Sequence, residues 1–166
     1  MDRTATRAEL SSALEALVAL ASGLDSSAWD RPSPNEEWTA LDTLAHVVAA
    51  EEGMRARIER ALGGDGSLRG DFDLDRWNRR QVEKRRGLGA DELLAALVAE
   101  REATMRQLDG VSDAQLSAPV EHPTNRSATV GWVFARIAEH QRAHTDDIRR
   151  AVAEEDSRRG PAGRPV

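Results

Sequence analysis

Two histidines four residues apart, His140 and His144, carry the clearest chemistry in this sequence. At about 100° per residue, Val130, Val133, Phe134, Ile137, Ile148 and Val152 share one face of a helix. His140, Gln141 and His144 fall on that same side, where the period calls for apolar residues. Side chains at i and i+4 leave adjacent turns toward one point. Two imidazoles aimed at a bundle interior are half a metal site, or a pair of partly buried, hydrogen-bonded histidines. A metal needs a third ligand. His46 lies off the apolar stripe of its own helix, among Asp42, Ala49, Ala50 and Gly53, and is expected to face a cavity or groove. Small neighbours there leave room for the imidazole or let another helix come close. His122, beside Pro123, reads as a surface residue outside the site.

The sequence has no Cys and no Tyr. Disulfides, thiolate zinc sites and a cysteine nucleophile are therefore excluded, and a metal must be held by His, Asp or Glu. Any reacting thiol must come from outside the chain. No Ser–His–Asp ordering stands out either. Asp147, one turn beyond His144, is a surface carboxylate or a partner that orients the ring. Glu51 and Glu52 are candidate acid–base groups, and Trp77 and Asn78 are candidates for the mouth of the site.

The elements that position these residues are helical. The 166 residues suffice for one domain with a real core. Val and Ile never alternate over a strand-length run, so the expected class is all-α. The first helix is expected to open on a Thr6–Glu9 capping box, carry the stripe Leu10, Leu14, Leu17, Val18, Ala21 and Leu24, and fray at Gly23. Trp29 and Pro32-Ser33-Pro34 interrupt regular structure. The second helix is capped by Thr39 with Asp42 at N3, runs from about Ala40 to Leu62 and stops at Gly63-Gly64. A long crossover, 63–89, starts flexible and becomes partly helical near 74–86. The third helix follows Gly89 and ends at Gly110, with one further turn at 112–116 and a loop at 117–129. The fourth carries the histidine pair to about Glu155. The domain spans 1–156, and the Arg/Gly/Pro-rich residues 157–166 are expected to be a disordered tail.

The net charge of −6 is spread over helix faces, which argues against nucleic acid as a partner. The local cluster Arg79, Arg80, Lys84, Arg85 and Arg86 reads as a solvated helix end. No apolar run would span a membrane and no signal peptide is evident, so a cytoplasmic location is expected.

Three segments resemble one family. Glu37-Trp38-Thr39-Ala40-Leu41-Asp42-Thr43-Leu44-Ala45-His46-Val47 matches a W-[ST]-x-x-[DE]-x-x-x-H pattern that opens a second helix. Glu139-His140-Gln141-Arg142-Ala143-His144 supplies the last helix's pair. Trp77–Arg86, followed by Asp91-Glu92-Leu93-Leu94, is similar to the mycothiol-dependent branch. In order and spacing, the chain resembles the DinB-like superfamily, which includes the N-terminal domain of mycothiol-dependent maleylpyruvate isomerases. The resemblance implies a four-helix bundle, up-down-down-up, with the long crossover between helices two and three. It implies a divalent metal on His46, His140 and His144 at one end of the bundle, and often a homodimer.

Three neutral imidazoles leave a coordination position open, the pattern of a catalytic site. The ligand set suits zinc, nickel or iron alike. The expected function is a metal-dependent transferase or isomerase that uses a low-molecular-weight thiol on a small electrophilic substrate. Arg far outnumbers Lys and Ala is abundant; with the branch likeness, that favours mycothiol over bacillithiol or glutathione. A metal-binding stress-response protein without turnover, and a metal-dependent hydrolase, remain the alternatives.

Overall fold

The structure is a computed structural model that describes residues 2–35 and 37–159, with side chains described to residue 153. The chain is predominantly helical. The elements are α1 (Arg3–Ala21), a 3-10 turn (Ser26–Asp30), α2 (Ala40–Leu62), α3 (Leu74–Glu83), α4 (Ala90–Gly110), α5 (Asp113–Leu116), β1 (Pro119–His122), β2 (Asn125–Thr129) and α6 (Val130–Arg159). α6 thus continues through residues 157–159. The rest of the expected tail, 160–166, lies outside the described residues.

Helix ends follow local capping chemistry. Thr39 and Asp42 form the expected box on α2, and Gly63 is its C-cap. Glu92 accepts from the Gly89 N–H at 2.8 Å at the start of α4. α1 departs from expectation. It begins one turn earlier, because Asp2 accepts from Ala5 N at 3.1 Å and takes the N-cap role expected of Thr6. Thr6 instead donates its hydroxyl to the Asp2 carbonyl at 2.9 Å.

The four long helices pack in pairs, α2 on α6 and α4, and α1 on α6 and α4. They enclose two apolar clusters. One gathers Leu10, Ile58, Leu108 and Phe134; the other gathers Leu17, Leu44, Leu97 and Ile148. A buried polar layer separates them. Arg101 donates to both Glu51 oxygens at 2.8 and 2.9 Å, and to Leu10 O and Gln141 Oε1. Thr104 donates to Glu51 at 2.9 Å, and Gln141 donates to Ala13 O at 3.1 Å. Each long helix contributes to this layer, so it locks their register.

The segment expected as a loop at 117–129 is a small antiparallel hairpin, with Val120 opposite Ala128 and His122 opposite Asn125. Its strands carry one buried apolar residue each, Val120 and Ala128, too short an alternation to read as β from sequence. The crossover holds it in place. Glu121 N donates to Gly66 O at 2.7 Å, and a Cβ on Gly66 would lie 2.5 Å from Pro119 O. Gly66 therefore serves close backbone approach, and the crossover is docked there. α3, the helical part expected near 74–86, packs on α2. No helix among the described residues is long and apolar enough to cross a membrane.

Candidate metal centre

His46 sits on α2 and the histidine pair on α6, and the packing of these two helices brings the three rings together. One ring nitrogen from each lies within 4.8 Å of the other two. His46 Nε2 and His140 Nε2 are 3.2 Å apart. Two nitrogens at about 2.0–2.1 Å from a tetrahedral zinc stand roughly 3.3 Å apart, so that spacing fits a shared ion. The ring centroids are 4.5 to 5.0 Å from one another.

The electrostatics also suit a cation. Burial, then His144, lowers the His46 pKa to about 3. Burial, then the neighbouring histidines, takes His140 to about 2. Burial lowers His144 as well, against the opposing pull of Asp147. All three rings are thus neutral at physiological pH, as ligands must be. His144 Nδ1 donates to Asp147 Oδ2 at 2.9 Å. An ionised carboxylate only accepts, so the proton is on Nδ1 and the Nε2 lone pair is left for a metal. Asp147 is therefore the orienting partner and not a bystander on the surface. Trp38 covers His46, with ring centroids 4.9 Å apart. His46 Nδ1 is buried without a hydrogen-bond partner among the described residues.

The carboxylates proposed for acid–base work lie elsewhere. Glu51 is buried in the ion pair with Arg101, and Glu52 pairs with Arg85 at 2.5 Å. Both are on α2, but an α-helix turns residues five and six places after His46 away from it. Arg79, Arg80, Lys84 and Arg86 are exposed, as expected of a solvated helix end.

A cavity of about 300 Å³ opens beside the histidines. His46 and His140 line it, and Trp77 and Asn78 from α3 do too, as the sequence suggested for the mouth. The small-residue face of α2 explains the approach of α3. A Cβ on Gly53 would lie 3.0 Å from the Trp77 ring. His122 is not the surface residue expected. The hairpin half-buries it against Trp132, centroids 5.1 Å apart, and it lines the cavity. It stays outside the three-histidine group. Sequence reasoning also passed over Arg57 and Arg136, which line the cavity. A signal existed: His46, Ala50, Gly53 and Arg57 fall on one helical face, and Arg136 precedes His140 by one turn.

A family model described as the DinB superfamily matches residues 9–148. Comparison with curated proteins gives no match. The match covers most of the chain, which belongs to the DinB superfamily.

Proposed function

We propose that this DinB-superfamily chain is a divalent-metal-dependent transferase or isomerase that uses a low-molecular-weight thiol, mycothiol first, on a small electrophilic substrate. The observation that carries this reading is the convergence of His46, His140 and His144 beside an open cavity. With no Cys in the sequence, an external thiol is the available sulfur nucleophile. A zinc, nickel or iron dication held by the three imidazoles would supply a Lewis acid that lowers the pKa of a thiol at the open position. The chain's own part is to hold three neutral rings, fix the His144 tautomer through Asp147, and shield one side of His46 with Trp38. Pairing across the helices supports the up-down-down-up order as part of this reading. One apolar cluster gathers Leu10 from early α1, Ile58 and Leu108 from late α2 and α4, and Phe134 from early α6; the other gathers Leu17 from later α1, Leu44 and Leu93 from early α2 and α4, and Ile148 from later α6. A homodimer completes the proposal, on the family resemblance.

The test is cobalt substitution. Adding mycothiol should produce a sulfur-to-cobalt charge-transfer band in the parent and none in His46→Ala. If mycothiol, bacillithiol and glutathione all leave the spectrum unchanged, thiol use is refuted. Water would then take the thiol's place, in hydrolysis, or the ion would be bound without turnover.

A further inference from the structure

The cavity beside the histidines is also lined by cationic side chains and a fourth histidine. Arg57 and Arg60 reach it from α2, Arg136 from α6 and His122 from the hairpin. Arg57 lies about 16 Å along α2 from His46, and Arg136 about 6 Å along α6 from His140. Met54, Phe72, Leu74 and Trp77 add apolar wall to the same cavity.

Arg57 and Arg136 each have donors to spare. Arg57 donates one N–H to Glu121 O at 2.9 Å and lies over Phe72, 5.9 Å from the ring centroid. A guanidinium has five N–H donors. Arg136 pairs with Glu139 at 2.9 Å, and Glu139 is mostly exposed. His122 has a fixed tautomer. Thr124 N donates to its Nδ1 at 3.2 Å, and a backbone N–H can only donate, so the neutral ring carries its proton on Nε2. Arg60 and Arg126 lie near Arg57, and so do the acids Glu121 and Asp65. Burial first, then Arg60, lowers the Arg57 pKa. Burial first, then Arg57 and Arg136, lowers His122 to about 4, which places both guanidiniums near that ring.

We propose that the cavity binds a small carboxylate with an apolar body, its carboxylate held by Arg57, Arg136 and the His122 Nε2–H. Planar guanidinium forks match the two oxygens of a carboxylate, and the apolar walls suit a hydrocarbon body. The proposal names a substrate class for the thiol reaction and in that sense rests on it; binding itself needs only Arg57, Arg136 and His122.

The probes are hexanoate, hexanamide and acetate, titrated calorimetrically into metal-free and zinc-loaded protein. Hexanoate should bind the metal-free protein at least about ten-fold more tightly than hexanamide, the amide lacking the charge. It should also bind more tightly than acetate, which lacks the apolar body. Arg136→Gln should remove the preference for acid over amide, and Arg136→Lys should keep part of it. Arg57→Gln should act alike; if it fails to fold by circular dichroism, the Arg136 pair decides. Equal binding of acid and amide, no measurable binding, or hexanoate binding that needs zinc would each overturn the proposal. A null cobalt–thiol spectrum with the acid preference intact would overturn the thiol reading alone. The reverse pattern would overturn the carboxylate alone.

Discussion

His144 donates from Nδ1 to the Asp147 carboxylate across 2.9 Å, one turn along α6, while Arg150 holds the other carboxylate oxygen at 2.5 Å. The pair fixes which nitrogen of His144 faces the cluster. Removing such a partner costs about 10–100-fold in metal affinity. Asp147→Ala should therefore weaken zinc binding by that order in competition with a chromophoric chelator. An unchanged affinity would detach Asp147 from the site.

Metal content should separate the four histidines. His46→Ala, His140→Ala and His144→Ala should each lose most bound metal after dialysis against zinc or nickel, measured by elemental analysis. His122→Ala should load like the parent, since its ring is held by Thr124 and Trp132 outside the cluster. Equal loading of His46→Ala and the parent would sink the three-histidine assignment.

Glu51 and Arg101 are nearly free of solvent, at 2% exposure each, so neither charge can be rescued by water when its partner goes. Glu51→Ala should destabilise the fold by about 3–5 kcal/mol in urea denaturation. The double variant Glu51→Leu/Arg101→Met should lose less, because no charge is left buried alone. A surface-like loss below about 0.5 kcal/mol in Glu51→Ala would contradict the buried pair.

Gly53 is where α2 admits Trp77. Gly53→Ala places a methyl 3.0 Å from the ring, so the indole must shift. We expect a loss of about 1 kcal/mol and a shift in tryptophan emission. Emission identical to the parent would mean that Trp77 does not press on this face.

Acid should weaken the metal-free fold through the histidines. Their unfolded pKa is about 6.5, whereas His46 is lowered to about 3 and His140 to about 2 when folded. Below about pH 6.5 the unfolded chain binds protons that the folded chain refuses, so stability is full above that pH and falls as pH drops toward the folded pKa values. The slope is at most about 1.4 kcal/mol per pH unit for each histidine. Urea midpoints at pH 7 and pH 5 should differ more in the parent than in His140→Gln. Equal differences would mean that burial does not hold His140 neutral.

The sequence by itself determined the helices and most of their ends. Thr39 with Asp42, Gly63, and Gly89 with Glu92 act within one turn of chain, where capping depends on neighbours alone. It also determined the pair His140 and His144, adjacent through the helical period, while His46 was marked by small neighbours as facing a groove and was joined to the pair by the family resemblance. Capping was misread once, at Thr6, since Asp2 offered a competing acceptor one turn earlier. Tertiary structure decided the rest. The hairpin at 119–129 has two buried apolar residues and depends on the Gly66 backbone, more than fifty residues away. Glu51 passed for an acid–base group because its partner Arg101 is on another helix. His122, Arg57 and Arg136 come from three elements and line one cavity. Periodicity reports which residues share a face of one helix; which faces meet is set by packing between elements, where the distant partners are chosen.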